Sequence, residues 1–261
     1  MITKSHFKGM YVEQHQLFEG RPTLVFLHDS LGCVQLWRDF PEQLAKATQC
    51  NILVYDRLGY GLSEPMAGYV RPVNYMELEA IQLNELLAHF GVGQPILFGH
   101  SDGGTIALLM ASLFPEHVCL TIVEAAHIFV EPVTLEGVRA AMLAYTNTNL
   151  GERLKKYHGD KVDTLFKAWT LTWTRDDYRE WNVEQLLVKM QSPLLFIQGA
   201  KDEYGSLAQV TQTINKPPGI AVSFILPGIG HTPHKEAPEL VLEAAAGFIN
   251  QQLILQGNAA V

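Results

Sequence analysis

The sequence contains little cysteine and no cysteine pattern that signals a disulfide framework or a thiolate metal site. Its three cysteines, Cys33, Cys50 and Cys119, lie far apart along 261 residues and form no CxxC pair. Free thiols of this kind are typical of the reducing cytoplasm, where disulfides rarely persist. We therefore predict a cytoplasmic protein that uses no metal and no other cofactor.

Basic runs, long apolar runs and internal repeats are also missing. Lys and Arg number 19 against 27 Asp and Glu, which gives a net charge of −8 and no basic surface for a nucleic-acid backbone. No stretch reaches the roughly 18 apolar residues of a membrane span, and Met1–Gly20 lacks the apolar core of a secretory signal. We expect a small-molecule substrate as partner, with no nucleic acid and no membrane, and a homodimer is left open.

What the sequence does contain is a regular alternation of apolar runs with amphipathic helical stretches, which is typical of α/β proteins with a mostly parallel sheet. The predicted strands are Thr23–Leu27, Asn51–Tyr55, Pro95–Phe98, Cys119–Val123, Pro193–Gln198 and Ala221–Leu226. The predicted helices are Trp37–Thr48, Val73–Phe90, Thr105–Phe114, Ser206–Ile214 and Pro238–Leu253, and the tail Gln256–Val261 is expected to fray.

One long segment interrupts this alternation. Between Ile128 and Gln191 the β-branched runs give way to helix-compatible stretches that carry Trp169, Trp173 and Trp181. The sequence thus predicts one α/β core, residues 1–127 and 192–261, with a helical subdomain inserted at 128–191.

The sharpest motif is Gly99-His100-Ser101-Asp102-Gly103-Gly104, between a predicted strand and a predicted helix. A serine at a tight strand-to-helix turn points outward, and glycines two positions before and after it relieve the crowding of the backbone. The turn also places the hydroxyl at a helix N-terminus, where developing negative charge is favoured. This context predicts that Ser101 is a nucleophile.

A serine nucleophile needs a base, and His231 is the predicted one. It follows Gly230 in the loop after the predicted strand Ala221–Leu226, at the edge of the sheet where α/β proteins place their sites. His234 lies three residues further on and could share a metal with His231. No third or fourth ligand lies nearby in the sequence, so we prefer the general-base interpretation.

The base in turn needs a carboxylate to orient it. Asp202 follows the predicted strand Pro193–Gln198 and is the preferred residue. Its neighbour Glu203 competes for the same role, and Glu124, which follows a different strand, is a third candidate.

Acyl transfer also requires two backbone N–H donors for the oxyanion, one after the nucleophile and one in an earlier loop. The first is predicted to be the N–H of Asp102. The second is assigned to Ser30, in the loop His28-Asp29-Ser30-Leu31-Gly32 that follows the first predicted strand.

With these motifs the chain resembles the α/β-hydrolase superfamily over nearly its whole length. The segment around Ser101 looks like its nucleophile elbow, Asp56-Arg57-Leu58-Gly59-Tyr60-Gly61-Leu62-Ser63 like the loop after its fourth strand, and Gly230-His231 like its histidine loop. A serine at the elbow argues against relatives whose nucleophile is aspartate. One departure stands out: the oxyanion loop of the superfamily usually begins His-Gly, and here Asp29 follows His28.

The resemblance implies an α/β-hydrolase fold in which the insertion 128–191 is a helical cap that closes over the nucleophile. Trp169 and Trp173 would then line the substrate pocket. Within the superfamily, the sequence pattern most resembles that of small capped esterases, enol-lactonases and carbon–carbon bond hydrolases.

Three functions follow as hypotheses. The leading one is a serine hydrolase that cleaves a small ester or lactone through an acyl-enzyme on Ser101. A second is a carbon–carbon bond hydrolase of ring-cleavage products, which would use the same oxyanion chemistry. A third, from another class, is a non-catalytic small-molecule receptor.

Overall fold

A central sheet of eight strands organises the molecule. In the computed structural model, which describes residues 1–259, the strands lie in the order β1-β2-β4-β3-β5-β6-β7-β8. Their bounds are β1 Ile2–Phe7, β2 Met10–His15, β3 Thr23–Leu27, β4 Asn51–Tyr55, β5 Ile96–His100, β6 Leu120–Glu124, β7 Leu194–Gly199 and β8 Ala221–Leu226. Strands β3 to β8 are parallel, whereas β1 and β2 pair antiparallel with each other and β2 pairs antiparallel with β4.

The six predicted strands are all present, and the predicted mostly parallel α/β fold is confirmed. The β1–β2 hairpin was not predicted. Its turn lies at Lys8 and Gly9, which both adopt positive φ, 48° and 81°, so Phe7 pairs with Met10. Two positive φ angles in succession are typical of the tightest hairpin turns. A lysine followed by glycine is a weaker sequence signal for such a turn than asparagine followed by glycine.

Helices cover both faces of the sheet. Their bounds are α1 Phe40–Thr48, α2 Tyr75–His89, α3 Asp102–Leu113, α4 Pro132–Asn147, α5 Leu150–His158, α6 Val162–Thr174, α7 Leu207–Ile214, α8 Pro233–Glu236 and α9 Pro238–Ala259. None of the helices within residues 1–259 is long and apolar enough to cross a membrane. Helix α9 continues past its predicted end at Leu253 and includes the first residues of the predicted tail Gln256–Val261. Residues 260 and 261 lie outside the described residues.

Successive residues along each strand point to opposite faces, which creates two apolar cores. Val25 and Leu97 belong to the core beneath α2 and α3. Phe26 and Phe98, one position further along the same strands, belong to the core beneath α1 and α9. Since both faces are covered, Leu24–Leu27 of β3 and Ile96–Phe98 of β5 read as continuous apolar runs rather than as alternating strands.

The segment between β6 and β7 contains α4, α5 and α6, and it lies over the carboxyl ends of the strands. His158 of α5 accepts a hydrogen bond from the Gly61 N–H and contacts the carbonyl of Leu31, each at 3.0 Å. Trp169 and Trp173 of α6 belong to the same apolar core as α2 and α3. The contacts of His158 place the segment above the loops that follow β3 and β4.

Candidate active site

Ser101 lies on a strained turn between β5 and α3. Its φ and ψ are 53° and −119°, a backbone conformation that residues other than glycine rarely adopt. A Cβ at Gly99 would lie 2.3 Å from the Gly103 carbonyl oxygen, and one at Gly103 would lie 2.0 Å from the Leu27 carbonyl oxygen. Glycine is therefore required on either side of the serine, and the predicted strand–turn–helix context is present.

The structure brings Ser101, His231 and Asp202 together from three loops. The Oγ of Ser101 lies 3.0 Å from Nε2 of His231, and Nδ1 of His231 lies 2.9 Å from both carboxylate oxygens of Asp202. Because the carboxylate can only accept, Nδ1 carries the proton, and Nε2 is left to accept the proton of the serine hydroxyl.

Further hydrogen bonds hold the Asp202 carboxylate in place. It accepts from the backbone N–H groups of Tyr204 at 2.8 Å and Gly205 at 3.2 Å, and from Nε2 of Gln198 at 2.8 Å. Burial on its own would raise the pKa of Asp202, but the hydrogen bond and charge of His231, together with the Tyr204 N–H, lower it to about 2. The carboxylate is therefore ionised across the neutral range.

His231 has a raised pKa for the complementary reason. Burial alone would lower the pKa of an imidazole, but the hydrogen bond and the charge of Asp202 outweigh that effect. Asp202 thus stabilises the imidazolium that forms when His231 accepts a proton.

The alternative acids and the alternative histidine pairing lie elsewhere. Glu124 is fully buried, and its Oε2 is 2.6 Å from Nδ1 of His234 rather than near His231. Glu203 lines the cavity at Ser101 and His231. The Nδ1 of His231, however, is hydrogen-bonded to Asp202. His231 and His234 therefore take different partners and do not converge on one site.

Ser30 and Asp102, the predicted oxyanion residues, line the same cavity as Ser101. Asp102 is the first residue of α3, and an N–H in the first turn of a helix has no acceptor within that helix. The Asp102 carboxylate accepts a hydrogen bond from the Tyr75 hydroxyl at 3.0 Å.

The loop that carries Ser30 tolerates Asp29 in place of the usual glycine. Asp29 is not among the residues with positive φ, so its position does not require the conformational freedom of glycine. Arg57 holds the loop through a hydrogen bond from Nη2 to the Asp29 carbonyl at 2.8 Å, and its backbone N–H donates to Nε2 of His28 at 3.1 Å. Arg57 is fully buried, and this supporting role was not predicted.

A cavity of about 210 Å³ opens at Ser101 and His231. Trp169 and Trp173 both line it, whereas Trp181 stacks on Tyr178. The structure adds lining residues that sequence reasoning missed: Leu31, His127, Thr134, Val138 and Tyr204. Of these, Tyr204 packs its ring 4.6 Å from the His231 ring. They come from four separate places in the chain, since Thr134 and Val138 share α4, so no local pattern could have identified them.

His100, the residue before Ser101, is hydrogen-bonded to the backbone of His231. Its Nε2 donates to the His231 carbonyl oxygen at 2.7 Å, and burial lowers the pKa of His100 to about 3. A neutral His100 thus fixes the backbone of the histidine loop. Its place within the elbow motif was visible in the sequence, but its partner 131 positions away was not.

Comparisons with known proteins bear on the family and the fold of the chain. A family model described as "Alpha/beta hydrolase family" matches residues 24–244. A "Putative esterase/lipase" of Haemophilus influenzae is 27% identical over 96% of this chain and 93% of its own length. A 2-succinyl-6-hydroxy-2,4-cyclohexadiene-1-carboxylate synthase of Salmonella heidelberg is 24% identical over 88% and 94%. Among solved structures, a bacterial membrane phospholipase A superposes with a TM-score of 0.73 at 20% identity, covering 97% of this chain and 86% of that one, and this shows the likeness of fold.

Proposed function

The chain belongs to the alpha/beta hydrolase family, and we propose that it is a serine hydrolase that cleaves a carboxylic ester or lactone of a small molecule. The observation that carries this proposal is the continuous hydrogen-bond chain from Ser101 through His231 to Asp202, with distances of 3.0 and 2.9 Å. The name of the Haemophilus relative supports the ester preference.

In the proposed mechanism His231 takes the proton of Ser101 as Oγ attacks the substrate carbonyl. The backbone N–H groups of Asp102 and Ser30 stabilise the oxyanion of the tetrahedral intermediate. When the C–O bond breaks, the imidazolium of His231 gives its proton to the leaving alkoxide, and the acyl group stays on Ser101. Water, activated by the same histidine, then hydrolyses the acyl-enzyme and releases the acid.

The helical segment above the site is proposed to act as a cap, with Trp169 and Trp173 in contact with the substrate. Both rings are almost fully buried yet line the cavity at Ser101. Aromatic walls favour an apolar acyl group, and the cavity volume of about 210 Å³ favours a short one.

A carbon–carbon bond hydrolase is the second candidate, and the synthase relative is the observation that favours it. Ring-cleavage products carry carboxylates. The lining of the cavity at Ser101 includes the carboxylates of Asp29 and Glu203 and no lysine or arginine. Like charges repel in a cavity of low dielectric constant, so this lining favours a neutral acyl group.

The test is a substrate panel of short esters, lactones, thioesters and dienoic ring-cleavage products, with Ser101→Ala as the blank. We expect esters or lactones to be turned over by the wild type and not by the blank. Cleavage of ring-cleavage products alone would establish the second candidate. If the native protein hydrolyses nothing and a fluorophosphonate fails to label it, the receptor hypothesis replaces both.

We also propose that the protein acts in the cytoplasm on a small-molecule substrate. Cys33 and Cys50 are buried free thiols, which supports a reducing environment.

A further inference from the structure

A second cavity adjoins the one at Ser101 and has the opposite charge. It measures about 390 Å³ and shares Asp29 and Leu31 with the first cavity. Its lining contains four cationic side chains: Arg38, Arg153, Lys156 and Lys235. In a protein with a net charge of −8, such a concentration of positive charge beside the cavity at Ser101 requires an explanation.

The four cations come from separate parts of the fold. Arg38 ends the short 3-10 turn Val34–Trp37, Arg153 and Lys156 lie on α5, and Lys235 lies on α8. Basic residues in the last turn of a helix complement its dipole, which accounts for Lys156. The dipole of α5 does not account for Arg38 or Lys235, which reach the cavity from other elements.

Within residues 1–259 none of the four cations forms a salt bridge, although the charges of His100 and Lys235 help to lower the pKa of Asp29. The neighbouring Lys155, also on α5, shows the contrast, because its Nζ lies 3.2 Å from the Asp160 carboxylate. The exposed cations around the second cavity therefore remain available to a ligand. Asp29, on the boundary between the two cavities, is the single carboxylate among the lining residues.

Arg38 is held there at a conformational cost. Its φ and ψ are 54° and −127°, nearly the angles of Ser101, and glycine would adopt them with less strain. Strained residues other than glycine cluster at functional sites.

The position of Lys235 relates this cavity to the chemistry at Ser101. Helix α8, which carries Lys235, begins at Pro233, just after the proposed base His231. In ester cleavage the leaving group receives its proton from that histidine and so lies on the same side of the serine. The second cavity meets the first at Asp29 and Leu31, so a leaving group can extend into it while the acyl group lies in the cavity lined by Trp169 and Trp173.

We propose that the substrate is an ester or thioester with a short neutral acyl group and a leaving group that carries a phosphate or a carboxylate, bound by Arg38, Arg153, Lys156 and Lys235. This inference rests on the proposed serine hydrolase function. The C–O or C–S bond breaks as the acyl group transfers to Ser101, and the leaving oxygen or sulfur departs with the proton from His231. Water then releases the acyl group as the acid.

The test uses three butyrate esters that share the acyl group and differ in the leaving phenol: 4-hydroxybenzamide, 4-hydroxybenzoate and 4-hydroxyphenyl phosphate. We expect KM to be about 10-fold lower for the charged esters than for the amide, since several exposed charge pairs each contribute modestly. The difference should shrink as ionic strength is raised from about 0.02 to 0.3 M. A preference for phosphate over benzoate identifies a phosphorylated leaving group, and equal preference identifies a general anion site.

The double variant Arg153→Gln/Lys156→Gln should reduce the ratio of charged to neutral kcat/KM to about 2-fold. Lys155→Gln, on the same helix but paired with Asp160, is the matched control and should keep the wild-type ratio. Equal KM values for all three esters, or a double variant with the ratio of the control, would overturn the proposal.

Binding without chemistry separates this proposal from the proposed hydrolase function. Calorimetry on Ser101→Ala should show tighter binding of 4-hydroxyphenyl phosphate than of 4-hydroxybenzamide. If the wild type hydrolyses none of the esters, the hydrolase function fails. If the phosphate and the benzamide bind equally to Ser101→Ala, the anion site fails.

Discussion

The Asp202–His231 pair and the Glu124–His234 pair join the same chemical groups, and only the ring of His100 separates them, at 5.2 Å from His231 and 5.1 Å from His234. The pKa shifts of the two pairs are nevertheless opposite. The pKa of Asp202 is lowered to about 2, and the pKa of His231 is raised. In the other pair, burial raises the pKa of Glu124 to about 8 and lowers that of His234 to about 3.

Hydrogen bonding to the carboxylate explains the difference. Asp202 accepts from two backbone N–H groups and one side-chain amide besides His231. Oε1 of Glu124 is buried and has no hydrogen-bond partner within residues 1–259. The first pair is therefore ionic and can stabilise an imidazolium, while the second is neutral and fills space beneath the elbow. The pairs thus differ in function because of what surrounds each carboxylate.

The largest effect on kcat is expected when the hydroxyl of Ser101 is removed. This hydroxyl contacts His231 of the Asp202–His231 pair. Ser101→Ala should lower kcat by about 10⁴–10⁶ because no nucleophile remains. The measurement is hydrolysis of p-nitrophenyl acetate. Ser112→Ala, the same substitution further along α3, is the matched control and should retain wild-type kcat. Near-normal turnover by Ser101→Ala would refute the assignment of the nucleophile.

The next largest effect separates the two carboxylates. Asp202→Asn should lower kcat by about 10⁴, because an amide can donate to Nδ1 and so favours the wrong tautomer of His231. Glu124→Gln should lower kcat by less than about 10-fold, since a neutral amide resembles the protonated carboxyl it replaces. Steady-state kinetics of the two variants decides between them. Should only the Glu124 change abolish turnover, Glu124 and not Asp202 is the acid of the site.

Stability against pH provides a third comparison. The folded pKa of Glu124 is about 8, above its unfolded value of about 4.5, so its protonation stabilises the folded state below pH 4.5. This contribution is lost as pH rises from about 4.5 to 8, at up to about 1.4 kcal/mol per pH unit. Urea unfolding should therefore show a smaller decline over this range for Glu124→Gln than for the wild type. Parallel curves would mean that Glu124 is ionised in the folded protein.

The smallest effect is on the pH–rate profile. Activity requires neutral His231, whose pKa is raised by Asp202, so kcat/KM should rise with pH to a midpoint above the usual histidine value of about 6.5. Asp202→Asn should lower the midpoint of the residual activity, because burial then acts without the carboxylate. Glu124→Gln should leave it in place. A midpoint that moves with Glu124→Gln but not with Asp202→Asn would reverse the roles of the two pairs.

Local patterns predicted much of the fold. The buried parallel strands were identified because each is a short apolar run bounded by residues that break structure. The start of α3 was placed at Thr105, but the helix begins at Asp102. Gly103 and Gly104 are poor helix formers, and they are present because the elbow packs against Leu27 and Ala126 at distances that exclude a side chain. Tertiary packing here overrides helix propensity.

The candidate site was predictable where order along the chain carried the information. Ser101, Asp202 and His231 each follow a strand, and parallel strands end at one edge of the sheet. The choice among Asp202, Glu203 and Glu124 depended on side-chain directions and on the pairing of Glu124 with His234, 110 positions away. The cations of the second cavity come from three distant segments, so their convergence also required the fold.

The most direct test of the account is whether Ser101 becomes acylated. Rapid quenching after mixing with p-nitrophenyl acetate, followed by peptide mass spectrometry, should find the acetyl group on Ser101. It should accumulate more in Asp202→Asn if deacylation slows more than acylation, and it should be absent from Ser101→Ala. An acetyl group on another residue, or hydrolysis by the wild type with no acylated serine under any quench time, would contradict the account.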